Sequence, residues 1–518
     1  MISVGMMGAF VPRAAASRAG GSLTYGLEAE TTGGWCIPRA SLAVSGITVA
    51  SAIYDTLTVL NRDGEYVPYL AKSVDHDATF TRWTITLRPG ISFHDGEPLD
   101  AAAVKLNLDA ARRGTTFGLT FANIADVAVT GPLSLTVTMS TPWVRFDAFL
   151  YSDGRLGIAA PAQLNNPDNC ASNMIGTGPF QFINGGRWDV NQQLIVIRNP
   201  KYWRTDSQGR QLPYLDKITF RPYVDQNQRT NAILGGQVDV THTSSSTQRA
   251  ALKSAGAHVV KLMRQTAGRR QVHFYLLNSS APPFDDLRAR KAFALAVDRD
   301  ELNQIYNQGS FELADGPFDK DVPGYDTDPG FPRLNRDKSR RLVDAYKADH
   351  GGTFEVVLGS TNDSETSLEA QLVQEQLAKV GISVSLQVQD QATIISVARS
   401  GLFDALVTRG YFGDDPDVQY MFWASGSPFN VGRINDPELQ GLLDAGRATA
   451  DPAQRADIYR RVNARFASQL YNVWVWYVDW TIASKPDVEG LAGPELPGGR
   501  GRTAFLGFMP VVGLWLRE

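Results

Sequence analysis

The segment from residue 79 to residue 107 has the clearest alternation of hydrophobic and polar positions in the chain. Four hydrophobic residues mark an alternating run in its first half: Phe80, Trp83, Ile85 and Leu87. This run predicts a strand, the Arg-Pro-Gly sequence at 88–90 interrupts it, and residues 91–93 resume it, so we predict a hairpin. Asp100 precedes a run rich in Ala, Val and Leu, which predicts a helix that begins after an Asp100 cap and packs its apolar side beside the hairpin.

The pattern changes after residue 353 to strand, helix and strand. Residues 354–358 and 382–388 predict two strands, and residues 368–380 between them predict a helix. A parallel pair of strands joined by a helix is the simplest arrangement for this order. Residues 401–407 predict a further strand.

The remaining elements follow from the same patterns. Further strands are predicted at 22–27, 133–139 and 473–480, and further helices at 43–57, from residue 143, and on either side of Asp451-Pro452 within 436–470. Asp285 is expected to cap a helix whose apolar residues pack inward. Residues 315–333 are rich in Pro, Gly and Asp and lack periodicity, which predicts a long surface loop.

Length and composition limit the classes of protein to consider. With 518 residues, the chain is longer than one hydrophobic core usually organises, so two or three lobes are expected. Its 43% hydrophobic and 20% charged residues are typical of soluble globular proteins. The 54 acidic and 50 basic residues give a net charge of −4, which argues against a nucleic-acid-binding surface.

The N-terminal residues suggest export. Residues 2–11 form a short apolar run that small residues follow. The positively charged leader that precedes such a run in a secretory signal is missing, so residues 1–20 are interpreted as the remnant of a signal peptide whose start lies upstream. The alternative is a disordered tail of a cytosolic protein. No other stretch of the sequence approaches the roughly 20 apolar residues needed to span a bilayer, so a protein that is soluble or tethered from outside its fold is expected.

Cys36 and Cys170 are the two cysteines of the chain. Neither has the small-residue neighbours of a lipidation site, since Trp35 and Asn169 precede them. A cytosolic protein of this length would more often carry several unpaired thiols, whereas a single pair suits one disulfide in an exported protein. A Cys36–Cys170 disulfide is therefore predicted.

The sequence offers little reaction machinery. It contains no GxSxG, HExxH, GxxxxGK or CxxC motif, and its six histidines are far apart, without metal-ligand spacing. The GTG at 176–178 has no third glycine in place and Pro179 removes a backbone donor, so nucleotide binding is not expected. An enzyme built from sequence-distant residues stays open as an alternative, but we expect neither catalytic activity nor a cofactor.

The stretch 409–423, RGYFGDDPDVQYMFW, combines carboxylates with aromatic rings. Its residues of these two kinds are Asp414, Asp415, Asp417, Tyr411, Phe412, Tyr420, Phe422 and Trp423. Rings that exclude water around a carboxylate suit an ammonium group, because the charge then supplies the specific partner. The alternative is an acidic Asp-Pro turn beside a cluster of core aromatics, and the residues alone leave both interpretations open.

Residues 68–104 resemble a signature of the solute-binding proteins of peptide and nickel ABC importers, roughly PxLAxSW, a strand and then LRxGxxFxDGxPLxAxDV. The matching residues are Pro68, Leu70, Ala71, Ser73, Leu87, Arg88, Gly90, Phe93, His94, Asp95, Gly96, Pro98, Ala101 and Val104. Val74 stands where the family usually has Trp. Further blocks in the family's order are IGTGPF at 175–180, RNPKYW at 198–203, GGQVD at 235–239 and residues 277–299. The resemblance extends over residues 21–491.

The resemblance implies an α/β fold with two lobes, like the type II periplasmic binding proteins of the large peptide-binding class. An extra α/β subdomain in the first lobe and hinge strands between the lobes are part of that fold. The implied division is lobe I at 21–60, 175–270 and 478–518, a lobe I subdomain at 61–174, and lobe II at 271–477.

The implied function is that of an exported, extracytoplasmic and monomeric solute receptor of an ABC importer. Such a receptor binds a small solute between its lobes, with a short peptide as the first candidate, and delivers it to the permease subunits in the membrane. A metal chelate, haem, an opine or an oligosaccharide are alternative ligands. A regulator of the cell envelope with no role in transport is the alternative function.

The resemblance also implies where the ligand binds. In peptide-binding members a motif similar to GWxxDYPDP carries the aspartate that pairs with the ligand's α-amino group. Gly410, Asp414, Pro416 and Asp417 match this motif, while Tyr411, Asp415 and Val418 depart from it. Asp414 is therefore the expected anchor, with Gly410, Tyr411 and Phe412 near the ligand. Asp417 completes the candidate site, and we expect Asp415 and Asp417 mainly to shape the turn.

Overall fold

The computed structural model describes residues 20–30, 34–37, 39–40, 42–114, 117–167, 169–182, 186–265, 269–410 and 415–517. Three large β-sheets, with helices packed against them, organise these residues. Strands and helices are numbered in chain order.

The strands are β1 (Ser22–Leu27), β2 (Thr58–Leu60), β3 (Tyr66–Pro68), β4 (Ala71–His76), β5 (Arg82–Leu87), β6 (Ile124–Gly131), β7 (Ser134–Met139), β8 (Phe180–Gln181), β9 (Arg187–Asp189), β10 (Gln193–Arg198), β11 (Lys217–Pro222), β12 (Val240–Thr243), β13 (Lys261–Arg264), β14 (Gln271–Leu277), β15 (Glu355–Thr361), β16 (Ser383–Gln389), β17 (Ala405–Gly410), β18 (Asn472–Val478), β19 (Thr481–Ser484), β20 (Val488–Glu489) and β21 (Trp515–Leu516).

The α-helices are α1 (Val44–Ile53), α2 (Ala101–Arg113), α3 (Phe146–Phe149), α4 (Pro161–Leu164), α5 (Gln226–Leu234), α6 (Ser246–Ser254), α7 (Leu287–Ala296), α8 (Arg299–Asn307), α9 (Arg336–Asp349), α10 (Ser364–Ala378), α11 (Gln391–Ser400), α12 (Tyr420–Trp423), α13 (Pro437–Ala448) and α14 (Pro452–Gln469). The two helices predicted on either side of Asp451-Pro452 are α13 and α14, and Pro452 opens the second of them.

The first sheet has the strand order β13-β19-β12-β1-β11-β10-β8, with β9 also paired to β10. β1 lies parallel to β11 on one side and to β12 on the other. Leu23, Tyr25 and Leu27 of β1 are buried, because alternate residues of the strand face the core. The strand predicted at 22–27 is confirmed with the same bounds.

The second sheet has the order β16-β15-β17-β14-β18. β15 is parallel to β16 and β17, and α10 connects β15 to β16 and packs on both. The predicted strand, helix and strand after residue 353 are thus confirmed as a parallel pair with a helical crossover. β14 is antiparallel to both β17 and β18.

The third sheet, β4-β5-β7-β6, is antiparallel and corrects the predicted hairpin. β5 pairs with β4 and β7, so both of its edges are already occupied, and residues 91–93 are not its partner. Gly90 turns the chain away from β5 with a φ of +76°. Within 91–93, Ser92 forms an isolated bridge to Pro98. The pairing partners of β5 come from distant segments that a local pattern does not reveal.

Asp100 caps α2 as predicted. Its carboxylate accepts a hydrogen bond from the backbone N–H of Ala103 at 2.8 Å, and α2 packs on β6 and β7. Replacing Asp100 with alanine leaves that donor unpaired, and we expect a loss of about 1 kcal/mol in the free energy of unfolding. Urea denaturation measures this loss. Asp100→Asn is the matched control, because asparagine caps equally well, and an equal loss in both variants would contradict the capping role.

Two other predictions need correction. Asp286, and not Asp285, caps α7, because its carboxylate accepts from the Arg288 N–H at 2.7 Å and the helix begins at Leu287. Residues 315–333 form the predicted connection without helix or strand in this fully described segment, but part of it is buried rather than on the surface. Asp319 is 2% exposed and accepts hydrogen bonds from the guanidinium of Arg270. Its carboxylate fixes the connection to the start of β14.

The predicted disulfide is confirmed, with Cys36 and Cys170 bonded and their Cα atoms 4.9 Å apart. Backbone and side-chain hydrogen bonds hold the same two segments together. Gln163 donates to the carbonyls of Trp35 at 3.2 Å and Cys170 at 2.9 Å, and the Trp35 N–H donates to the Ala171 carbonyl at 2.8 Å.

The described chain passes between the first and second sheets at two points. Gln265 follows β13 and residues 269–270 precede β14, while residues 479–480 lead back from β18 to β19. β13 pairs with β19 in the first sheet, and β14 pairs with β18 in the second. The Gln265 N–H donates to the Trp480 carbonyl at 2.7 Å, so the described ends of the two connections lie side by side.

Candidate ligand-binding site

A cavity of about 350 Å³ lies between the first and second sheets. Residues at or just after the carboxyl ends of strands line it: Glu28 after β1, Asp363 after β15, Gln391 after β16 and Arg409 at the end of β17. Ligands of open α/β sheets bind at these ends, because the loops there leave the strands and open a crevice. The positions of the strand ends in both sheets thus determine where the cavity lies.

An ion pair joins the two sheets beside this cavity. The Arg409 guanidinium donates to both carboxylate oxygens of Glu28 at 2.6 Å, and to the hydroxyl of Ser244 at 2.9 Å. Burial raises the pKa of the Glu28 carboxyl, but neighbouring groups, with Arg409 first and Arg229 among them, together outweigh burial and hold the pKa below its usual value. The Glu28 N–H donates to Nε2 of His242 at 3.0 Å, and burial lowers the pKa of that histidine to about 4. The pair is therefore ionised at neutral pH, beside a neutral imidazole.

Charges of both signs line the cavity in the part of the chain that the structure describes. The carboxylates are Glu28, Asp153, Asp363 and Glu365, and the guanidiniums are Arg155, Arg229, Arg399 and Arg409. Arg229 donates to the carbonyls of His242 at 3.1 Å, Val224 at 3.4 Å and Tyr223. These acceptors are uncharged, so they fix the guanidinium without neutralising it. The arrangement complements a solute that carries positive and negative groups.

A second part of the wall is apolar. Ile394 and Ala398 of α11 line it together with Leu406 of β17. Phe429 also lines it and packs edge-on against Phe422, with the two ring centroids 5.8 Å apart. This surface suits an uncharged part of the solute, because burying it removes apolar area from water.

A histidine forms the wall next to β18. His273 stacks on Trp476 with ring centroids 4.6 Å apart, and both residues line the cavity. The Glu369 carboxylate lies 2.7 Å from Nε2 of His273 and accepts from the Tyr275 hydroxyl at 2.6 Å. These contacts fix the ring, since one nitrogen and one face are occupied.

The predicted site residues are distributed as follows. Gly410 is the last residue of β17 and lines the cavity. Asp414, Tyr411 and Phe412 lie outside the described residues, so their expected roles stay predictions.

Asp417 does not line the cavity. Its side chain is fully buried, and both carboxylate oxygens are occupied, one by Nε1 of Trp143 at 2.7 Å and the other by Nε of Arg447 at 3.0 Å. Burial raises the pKa of Asp417, although Arg447 opposes the shift. No oxygen of this carboxylate is left for a solute, and its contacts join the segment before α3 to α13.

The Asp415 carboxylate is likewise buried and paired with arginine side chains. Its carboxylate accepts from Nη1 of Arg455 at 2.8 Å and from Nη1 of Arg145 at 3.1 Å, with the second Arg455 nitrogen at 2.5 Å. Arg145 belongs to the segment after the third sheet, and Arg455 belongs to α14. The Asp-Pro turn thus links the segment between the third sheet and α3 to α14.

Sequence reasoning missed most of the cavity's charged residues. Glu28 follows a correctly predicted strand, and Asp363 precedes a predicted helix, so polar residues directly after predicted strands were the available indication. Asp153 and Arg229 had no such indication, because their positions depend on how distant segments pack.

The topology and the cavity define the fold class: a two-lobed α/β protein of the type II periplasmic binding proteins, peptide and nickel class. The model of the bacterial extracellular solute-binding proteins, family 5 (middle), matches residues 65–433, and the chain belongs to that family.

Relatives agree with this assignment. The glutathione-binding protein GsiB of Pectobacterium atrosepticum is 26% identical over 433 residues, 80% of this chain and 80% of the relative. The nickel-binding periplasmic protein of Escherichia coli K12 is 25% identical over 461 residues, 85% of this chain and 86% of the relative. The structure of the PBP AgaA from A. tumefacien R10 with agropinic acid has a TM-score of 0.84 at 26% identity, covering 96% of this chain and 99% of that chain.

The protein is accordingly a solute-binding protein of an ABC importer. Members of its family are extracellular or periplasmic proteins that bind small ligands and work with ABC permeases, and they are transport proteins rather than enzymes. None of the helices in the described residues has both the length and the apolar character needed to cross a bilayer.

Proposed function

We propose that the protein binds a short peptide, of about two or three residues, and delivers it to its permease. The observation that carries this proposal is a cavity of about 350 Å³ that, among the described residues, is lined by both carboxylates and guanidiniums. A short peptide has an ammonium and a carboxylate group at its ends, and this volume is at the lower end of ligand pockets, about 300–1,000 Å³. The relative GsiB is named for binding glutathione, which is itself a tripeptide.

We further propose the division into lobes that the family resemblance implies. Lobe I comprises 21–60, 175–270 and 478–518, its subdomain 61–174, and lobe II 271–477. The described parts of the two connections between the first and second sheets, at 265, 269–270 and 479–480, support boundaries close to these positions.

Identification of the solute is the direct test of the proposed function. Native protein purified without denaturation should release a short peptide, detectable by mass spectrometry of the denatured sample. A nickel chelate, an opine or a sugar in its place would contradict the peptide assignment and leave the importer role intact.

Asp414 is the proposed anchor of the peptide's amino group. Gly410 of the same motif lines the cavity, which supports this role. Removing one partner of a desolvated charge pair costs about 2–5 kcal/mol, so Asp414→Asn should weaken binding at least about thirtyfold. Calorimetry with a dipeptide pool and with its N-acetylated counterpart measures the effect. Acetylation should weaken binding to the wild type strongly and to the variant much less.

The matched control is Asp126→Asn, which changes an exposed aspartate of β6 that does not line the cavity. It should bind both pools like the wild type. If the wild type binds both pools equally, or if Asp414→Asn keeps its affinity, Asp414 is a turn residue and the peptide assignment loses this support.

A further inference from the structure

A second carboxylate of the cavity, Asp153, is held by an unusual turn. Ser152, Asp153 and Gly154 have φ values of +46°, +52° and +82°, a region that residues other than glycine rarely adopt. A Cβ atom at Gly154 would lie 2.8 Å from Cγ2 of Ile47 in α1, so the turn packs closely on that helix. The close packing fixes the position of Asp153 in the cavity wall.

The Asp153 carboxylate is only half satisfied. Its side chain is 3% exposed, and its Oδ1 atom is buried without a hydrogen-bond partner. Oδ2 lies 3.4 Å from Nη1 of Arg155, a long contact, while Nε of Arg155 donates to the Leu42 carbonyl at 3.0 Å. Burial raises the pKa of Asp153 to about 6, because Arg155 offsets only part of the desolvation. A further cationic partner would complete the pairing of this buried carboxylate.

The wall beside this carboxylate is apolar. Leu42, whose carbonyl holds Arg155, lines the cavity together with Ala43 and Val44. An alkyl stem could lie along these residues and lose contact with water, while its charged end reaches the carboxylate. The geometry therefore favours one kind of group: a cation at the end of an apolar chain.

We propose that Asp153 binds a primary ammonium or guanidinium group carried by the solute on an apolar stem, so that the protein selects solutes with a basic side chain. This inference rests on the proposed function, since it describes the side chain of the bound peptide. It is independent of Asp414, which is proposed to bind the peptide's amino end.

Two pairs of dipeptides that differ in one charge test the proposal. Calorimetry at neutral pH compares lysyl-glycine with norleucyl-glycine, and glycyl-lysine with glycyl-norleucine. In at least one pair, the wild type should bind the lysine peptide at least about tenfold more tightly. Asp153→Asn should remove this preference and keep the affinity for the norleucine peptide. Asparagine tolerates a positive φ and has the shape of aspartate, so this variant retains the turn.

A second measurement does not require peptide binding. The melting temperature is recorded with n-butylammonium chloride and with n-butanol at equal concentration. The wild type should be stabilised by the ammonium and not by the alcohol, and Asp153→Asn should lose the difference. Asp126→Asn is the control in both measurements, and it should behave as the wild type.

The outcomes separate the two proposals. If the lysine and norleucine peptides bind equally well to the wild type, the role of Asp153 is overturned while the peptide assignment stands. If no dipeptide binds but butylammonium stabilises the wild type through Asp153, the peptide assignment fails and the cation site stands. If no dipeptide binds and butylammonium gives no difference between wild type and Asp153→Asn, both are overturned.

Discussion

Replacing Asp415 with alanine is expected to lower the free energy of unfolding by about 3–5 kcal/mol. The Asp415 side chain is 1% exposed, and that of its partner Arg455 is 6% exposed. Removing the carboxylate leaves the Arg455 guanidinium buried without its counter-charge, and Arg145 loses a contact as well. The cost is large because a buried charge that has lost its partner cannot recover its hydration.

Chemical denaturation of the wild type and the variant measures this loss. Asp457→Ala is the matched control, because Asp457 pairs with Arg460 at 3.0 Å on the surface, where the two side chains are 60% and 47% exposed. The control should lose less than about 1 kcal/mol. Equal losses in the two variants would show that the buried cluster contributes no more than a surface pair.

The effect of Asp415→Ala should depend on pH in a defined direction. Burial raises the pKa of Asp415, but Arg455 and then Arg145 outweigh it, and the pKa lies below its usual value. A carboxylate with a lowered pKa stabilises the fold above the unfolded-state pKa and loses that contribution as the pH falls through the folded-state pKa. The difference between wild type and variant should therefore be greatest near neutral pH and shrink below about pH 4.

Removal of the disulfide should be comparably costly. The bridge closes a loop with a sequence separation of 134 residues. In the chain-entropy model, replacing both Cys36 and Cys170 with serine should lower the free energy of unfolding by about 3–5 kcal/mol, because the unfolded chain gains freedom. The fold itself should persist, since hydrogen bonds from Gln163 and Trp35 join the same segments.

Urea denaturation with and without a reductant tests this expectation. The reductant should destabilise the wild type and leave the doubly substituted variant unchanged, which makes the variant its own control. Thiol labelling of denatured, non-reduced wild type should find no free thiol. Labelling at two sites, or equal stability of wild type and variant, would contradict a stabilising bridge.

Local patterns predicted the local elements of this fold well. Asp100 caps α2, and residues 353–389 form the expected strand, helix and strand, because capping and burial periodicity act within a few residues. The cap of α7 was misplaced by one residue, since Asp285 and Asp286 are chemically equal and only the path of the preceding turn selects Asp286.

The long-range contacts of the fold could not be predicted from local sequence patterns. β5 pairs with β4 and β7 and not with residues 91–93, and a sequence pattern does not encode which distant strand arrives. The cavity brings together Glu28 and Arg409, which are 381 residues apart. Each is an ordinary charged residue near the end of a strand, and their partnership exists only after both sheets have assembled.

The N–H of Gln265 in the first connection donates to the carbonyl of Trp480 in the second, so a hydrogen bond joins the two connections between the sheets. β13 with β19 and β14 with β18 are antiparallel pairs, so sliding one connection past the other would break hydrogen bonds in both sheets. We therefore expect closure of the lobes to bend both connections together as a hinge. The guanidinium carbon of Arg409 lies 4.8 Å from the ring centroid of Trp480, which belongs to the second connection. Because this contact lies beside the expected hinge, we expect the Glu28–Arg409 pair to stay joined during closure while the distant rim of the cavity moves farther.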